Sequence, residues 1–203
     1  MTAFLLLRHG QSTWNAEGRW QGWADAPLSA RGESQAVEAA DHLRSLGLTG
    51  AVCSDLQRAK RTAEIIAEAL GLGEPTVEAG LRERDVGPFT GLTKAEIRAR
   101  WPEAFDPETG HVARPPEGET DDDLLARVLP ALVRIETALA GERVLTISHG
   151  GVLRALERHC GIGTPAATPN LAGRWYEVVG SDITPGDPVV PIEPSHVTTP
   201  RSL

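Results

Sequence analysis

The chain has 203 residues, 40% of them apolar, and a formal net charge of −8. That suits one domain with a sizeable core. The acidic balance, with no basic tract of five or more residues, argues against a nucleic-acid partner. No apolar run approaches the roughly 18 residues of a membrane span, and the N-terminus lacks the basic and apolar regions of a signal peptide. Two cysteines, Cys53 and Cys160, are too few for a disulfide framework. The expectation is a cytoplasmic protein with free thiols and no membrane partner.

In chain order, Ala3–Leu7 is an apolar run that reads as a buried first strand. Asn15–Leu28 reads as a loop rich in Gly, Trp and polar residues. Ser29 then has the chemistry of an N-cap, opening a helix to about Leu46 with Ala36, Ala39, Ala40 and Leu43 at helical spacing and Gly47 at its end. Ala51–Ser54 is a second short strand, followed by a helix from about Leu56 to Leu70 and a candidate third strand at Thr76–Glu78. Thr93-Lys94-Ala95-Glu96 is a capping-box pattern for a short helix that stops before Pro102.

Phe105–Gly118 is a Pro-rich loop. A helix begins near Thr120, where Asp121, Asp122 and Asp123 favour the positive end of the helix dipole, and Pro130 is expected to kink it. Arg143–Ser148 is another buried strand, and Gly151 to about Cys160 another helix. Arg174–Val179 reads as a late edge strand, a candidate for pairing across a homodimer. Residues 180–203 are Pro-rich and weakly apolar, and the expectation is an extended or disordered tail after a domain spanning 1–179. Alternating strands and helices predict a single α/β domain, a three-layer αβα sandwich around a mostly parallel sheet.

The chemistry-bearing residues sit at strand ends, where an open α/β sheet places its ligand. The first strand runs into Arg8-His9-Gly10. An imidazole there can act as a nucleophile, a guanidinium can hold a phosphate with paired donors, and Gly10 permits close backbone approach. The strand at Arg143–Ser148 ends the same way, in His149-Gly150-Gly151, which places a second imidazole at the same sheet edge and backbone amides at a helix start. Arg58 comes after the second strand in the first turn of its helix. Glu83, in Leu81-Arg82-Glu83-Arg84-Asp85, is a carboxyl of the kind that protonates a leaving oxygen and then activates water; Asp85 is its rival. Arg82 and Arg84 either bear on its charge or face away to bind a substrate carboxylate. His42, His111, His159 and His196 have no motif context.

These four segments resemble the ordered motifs of the histidine phosphatase superfamily, which includes cofactor-dependent phosphoglycerate mutases: Arg-His-Gly with Trp14 and Asn15, Ser54 to Ala63 around Arg58, the Glu83 segment through Gly91-Leu92, and His149-Gly150. The resemblance covers roughly Ala3 to Val179. It implies that His9 becomes a phosphohistidine, that Glu83 is the acid and base, and that Arg8, Arg58 and His149 hold the phosphoryl group. It also implies that Asn15 donates to a phosphate oxygen and that Gln21 and Gly22 touch phosphoryl group or substrate. Trp14, Trp20 and Trp23 either wall the pocket or pack under the loop.

The expected function is a phosphomonoesterase for a small-molecule phosphate ester, with no metal and no organic cofactor. The alternative is a mutase that returns the phosphoryl group to a substrate hydroxyl. The segment Arg114–Thr120 resembles the Pro-Gly-Glu-Ser stretch of the phosphatases and lacks an adjacent arginine pair, which favours hydrolysis. A non-catalytic phosphate-binding module is a further reading, opposed by the presence of every reactive group. Metal hydrolysis is opposed by Arg8 and Arg58, which would repel a cation, and by the lack of H-x-x-x-H or H-x-x-E-H spacing.

Overall fold

In the computed structural model the described residues are 1–106, 108, 112, 115, 117–163 and 167–192. The elements are β1 (Thr2–Arg8), α1 (Thr13–Glu17), α2 (Ala30–Leu43), β2 (Gly50–Cys53), α3 (Gln57–Leu70), β3 (Thr76–Val77), α4 (Lys94–Arg100), α5 (Asp121–Ala138), β4 (Arg143–Ser148), α6 (Gly150–His159), β5 (Gly173–Val179) and β6 (Asp182–Val189). The strands form one sheet in the order β3-β2-β4-β1-β5-β6. The first four of these run parallel, and β5 and β6 join antiparallel.

Alternate residues of the central strands feed opposite cores, as the two-residue period of a strand requires. Phe4, Leu6 and Val144 pack with Leu124, Val128 and Leu132 of α5 and Leu153 and Leu156 of α6. Leu5, Leu7, Leu145 and Ile147 pack with Ala36, Ala39 and Ala40 of α2 and Ala59, Ala63 and Ile66 of α3. Both faces are thus covered, which is why β1 and β4 read as near-continuous apolar runs. A third cluster of Val86, Phe89, Ile97 and Phe105, backed by Trp20 and Trp101, sits under the irregular segments around α4.

The capping chemistry follows the sequence. Ser29 caps α2 by accepting the Gly32 amide, and Thr93 and Thr120 open α4 and α5 with reciprocal capping boxes. Helix α5 continues through Pro130 without a break. The stretch read as a loop from Asn15 contains part of α1, capped by Ser12, and α2 gives way after Leu43 to a 3-10 turn at Arg44–Leu46. The segment Arg114–Thr120 is described only in part, since residues 114 and 116 lie outside the described residues.

Two expectations are corrected at the C-terminal side. Strand β5 is interior, paired with β1 on one side and β6 on the other, so its backbone has no free edge for a second chain. Residues 182–189, expected in a tail, form β6. A two-residue Gly180-Ser181 turn, with Gly180 at φ +57°, joins the Val179↔Asp182 pair, the connection a tight hairpin uses. Pro185 and Pro188 are tolerated because β6 is an edge strand, where a missing N–H costs no ladder bond on the open side.

Candidate active site

Register places the histidines together. Arg8 of β1 is the partner of Ser148 of β4, so the next residues, His9 and His149, emerge side by side. The His9 amide donates to the Ser148 carbonyl at 3.0 Å, and the Asn170 Nδ2 amide donates to the His9 carbonyl at 2.8 Å. The rings meet edge to face, with centroids 5.1 Å apart and planes at 62°.

The two rings are held differently. His9 Nδ1 lies 2.6 Å from the Gly10 carbonyl oxygen. A carbonyl only accepts, so Nδ1 carries the hydrogen and the Nε2 lone pair is free. His149 is fully buried, and neither of its ring nitrogens has a hydrogen-bond partner among the described residues. Burial lowers both pKa values well below the usual histidine range, and the charges of Arg58 and Arg8 lower them further. Both rings are therefore neutral near pH 7.

Gly10 is required by its surroundings. A Cβ there would lie 2.7 Å from the Gly32 carbonyl oxygen in the first turn of α2. Its amide donates to Thr62 Oγ1 at 3.1 Å, and that hydroxyl donates to the Arg58 carbonyl at 2.6 Å. Thr62 thus ties the β1 tip to the helix that presents Arg58.

Arg8 and Arg58 are buried without an ion-pair partner among the described residues. Arg8 Nη1 donates to the Thr168 carbonyl at 2.7 Å. Arg58 Nη1 and Nη2 donate to the Ala24 and Gly22 carbonyls at 2.7 and 2.8 Å, while its Nε has no partner among the described residues. Burial brings both guanidinium pKa values down to about 10, opposed by the charge of Glu83. Buried guanidiniums whose hydrogen-bond partners are carbonyls, with no carboxylate paired to them among the described residues, suit an anionic ligand.

Glu83 faces the start of α6. Its two carboxylate oxygens accept the Arg84 amide at 2.7 Å and the Gly151 amide at 3.2 Å. A Cβ on Gly151 would collide with that carboxylate. The segment bearing Glu83 is clamped from α5: Arg127 donates to the carbonyls of Gly80, Arg82 and Glu83 and to both oxygens of Glu119, at 2.8 to 3.0 Å. All five of its N–H donors are used. Trp23 Nε1 also donates to the Glu83 carbonyl, at 2.8 Å, and the Trp23 ring lies under the Arg82 and Arg127 guanidiniums.

The flanking arginines turn away from Glu83. Arg82 makes a forked pair with Asp55, with contacts of 2.5 to 3.0 Å. Arg84 pairs with Asp121 at the start of α5. Asp85, the rival acid, accepts the Gly87 amide at 2.9 Å and shapes that turn.

Of the predicted site residues, His9 and His149 meet ring to ring, the charges of Arg8 and Arg58 act on both rings, and the charge of Glu83 acts on both arginines. Gly150 lies beside Arg8: a Cβ there would sit 3.6 Å from Arg8 Cδ. The Gly22 carbonyl accepts from Arg58 Nη2. Gln21 is buried, its Oε1 accepting from Ser12 Oγ at 2.8 Å. Asn15 Oδ1 accepts the Ser12 amide at 3.2 Å as part of the α1 capping box. Among the tryptophans, Trp20 packs on Phe89 and Trp23 lines the rim at Glu83.

Two further residues belong to the site without any motif to mark them. Arg154 lies four residues past Gly150 on α6, a spacing that returns it to the same helix face. Its Nη1 is 3.0 Å from where a Gly150 Cβ would be. Arg127 has no local signal, since it acts on carbonyls 44 to 47 positions earlier in the chain. Among the described residues no group of three or more His, Cys, Asp or Glu is arranged to hold a metal, and no helix is long and apolar enough to cross a membrane.

Residues 4–187 match the family model of the histidine phosphatase superfamily (branch 1). The chain is 41% identical over 175 residues to a 2,3-bisphosphoglycerate-dependent phosphoglycerate mutase of Methylobacterium radiotolerans, covering 82% of each chain. Bacillus stearothermophilus YhfR superposes with a TM-score of 0.81 at 32% identity, over 95% of this chain and 100% of that one. A mycobacterial glucosyl-3-phosphoglycerate phosphatase solved with VO3 gives a TM-score of 0.70 at 31% identity, over 86% of this chain and 89% of that one. With the family match running from β1 into β6, the chain belongs to the histidine phosphatase superfamily.

Proposed function

We propose that the protein is a phosphomonoesterase acting on a small-molecule phosphate ester in the cytoplasm. The observation that carries this reading is the pair of neutral buried imidazoles beside two buried guanidiniums that have no ion-pair partner among the described residues. His9 Nε2 attacks phosphorus; the N–P bond forms as the bond to the leaving oxygen breaks, and Glu83 gives that oxygen its proton. Water then attacks phosphorus, Glu83 takes its proton, and the N–P bond breaks to release inorganic phosphate and restore neutral His9. Arg8, Arg58 and His149 hold the charge that spreads over the transferred oxygens. In this reading Asn15 and Gln21 support the loop that carries the Arg58 acceptors. The cycle passes through no metal or organic cofactor, so a chelator leaves turnover unchanged.

Similarity to phosphatases and to mutases supports two outcomes for the phosphohistidine. The likeness to named mutases at 41% identity favours transfer to a substrate hydroxyl as the second reading. Incubation with 3-phosphoglycerate, with and without 2,3-bisphosphoglycerate, separates them. Hydrolysis releases inorganic phosphate in step with substrate loss. Accumulation of 2-phosphoglycerate with negligible phosphate release would establish the mutase instead.

A further inference from the structure

We propose that Asn170 is a positioning residue for His9: its side-chain amide fixes the His9–Gly10 peptide, and so holds the Gly10 carbonyl on Nδ1 and leaves Nε2 as the unprotonated nitrogen. The kinetic consequence rests on the reading of His9 as the attacking group.

The glycine at the strand tip makes such a grip necessary. Gly10 has no Cβ to restrict its torsions, so the peptide before it needs holding from outside. It is held at both ends. Asn170 Nδ2 donates to the His9 carbonyl at 2.8 Å, and the Gly10 amide donates to Thr62 Oγ1 at 3.1 Å. The next group along the chain is the Gly10 carbonyl, 2.6 Å from His9 Nδ1. Rotation of the His9–Gly10 peptide would carry that carbonyl off the ring. The hydrogen on Nδ1 would then be free to exchange to Nε2, which removes the lone pair from the attacking nitrogen.

Asn170 belongs to a strained turn. Leu171, the next residue, has φ +59° and is one of two non-glycine residues with positive φ among the described residues. Its side chain is fully buried with Leu5 and Leu7. A bulky residue keeps that conformation only where its surroundings over-determine it. Here the Leu171 amide donates to the Arg8 carbonyl at 2.9 Å, the Arg8 amide donates to the Ala172 carbonyl at 3.0 Å, and Arg8 Nη1 donates to the Thr168 carbonyl at 2.7 Å. One turn thus grips Arg8 three times and His9 once.

The Asn170 side chain is fully buried, yet its Oδ1 has no partner among the described residues. The amide therefore works as a donor alone. Turned over, it would set its Oδ1 against the His9 carbonyl oxygen, two acceptors facing each other.

The test reads the ring directly. Long-range ¹H–¹⁵N NMR at pH 7, on the full chain labelled with ¹⁵N-histidine, shows which nitrogen carries the hydrogen; His9 signals are assigned by their loss in His9→Gln. The wild type is expected to show His9 as the Nδ1–H form alone. Asn170→Ala is expected to give a mixture of both tautomers, with His149 signals unmoved. Asn170→Ser, whose hydroxyl reaches the His9 carbonyl through a water, falls between. In rapid quench, Asn170→Ala is expected to slow phosphoenzyme formation by about 10- to 100-fold, the cost of a misaimed attacking group. Its affinity for inorganic phosphate, which reports the arginines, changes by less than about threefold. Mixed tautomers in the wild type, a single tautomer in Asn170→Ala, or an unchanged phosphorylation rate overturns the proposal. Equal losses of phosphate affinity and phosphorylation rate also overturn it, since Asn170 would then serve the whole anion site. Loss of the folded spectrum in both variants overturns it as well, because Asn170 would then serve the fold. The tautomer readout needs no substrate: a wild type with one His9 tautomer that Asn170→Ala mixes, but with no phosphorylated protein from any ester, would end the enzymatic reading and leave this one standing.

Discussion

The two strand ends that carry His9 and His149 share a sequence pattern but lead into different backbone. Each is a buried apolar strand ending in His-Gly, and strand register sets the two side by side. After His9 no helix starts until Thr13, and the Gly10 carbonyl pins the ring by Nδ1. After His149 a helix starts at once, and the ring is left with both nitrogens unpaired among the described residues. The pinned ring has one tautomer and one aimed lone pair, as an attacking group needs. The unpinned ring can donate to an oxygen without first breaking a bond. On the proposed mechanism, backbone context, more than residue type, separates attacker from holder.

The largest effect that sharpens this contrast is His9→Ala, expected to lower turnover by at least about 10⁴-fold, since the covalent route disappears. Steady-state phosphate release measures it. His149→Ala is expected to cost about 10²- to 10³-fold, the loss of one charge-stabilising donor, with the phosphoenzyme still formed in rapid quench. A phosphoenzyme that vanishes in His149→Ala and survives in His9→Ala would reverse the two roles.

Gly151→Ala is a milder way to break the site, because its methyl displaces the Glu83 carboxylate and leaves both rings in place. Loss of a positioned acid costs about 10²-fold for alkyl phosphates. Aryl phosphates, whose leaving groups need little protonation, lose less. A leaving-group series reads the difference, and equal losses across it would remove Glu83 from the acid role.

The smallest effect is on stability. Both histidines have folded pKa values lowered below their unfolded value. Their contribution is present above about pH 6.5 and is lost as pH falls below it, because the unfolded chain takes up protons that the buried rings refuse. Each ring contributes a slope of up to about 1.4 kcal/mol per pH unit in that window. Urea denaturation between pH 7 and pH 5 is expected to show this slope, and His149→Gln to reduce it. An unchanged slope in His149→Gln would mean that the ring titrates normally in the folded state.

Much of this site is legible in the sequence because buried parallel strands leave uninterrupted apolar runs, so the residues that end them stand out. Phe4–Leu7 and Val144–Ile147 mark the sheet, and the polar residues just beyond mark its ligand edge. Strand β6 is hidden because Pro185 and Pro188 read as breakers, although Gly180-Ser181, with Val178 before it and Ile183 after it at paired positions, is a hairpin signal. The outward turn of Arg82 and Arg84 stays open in the sequence, since alternation fixes no direction in an irregular segment; Asp55 and Asp121 decide it. Arg154 is open to a local reading, since it lies one helical turn past Gly150, whereas Arg127 acts on carbonyls far back in the chain to which no local pattern points.

All of these roles depend on His9 accepting the phosphoryl group while His149 only holds it. Rapid acid-free quench with ³²P-labelled substrate, followed by peptide mapping, is the sharpest check. A base-stable, acid-labile label is expected on the peptide containing His9 and absent from His9→Ala. A label on the peptide containing His149, or turnover with no labelled protein at any time point, would contradict the assignment.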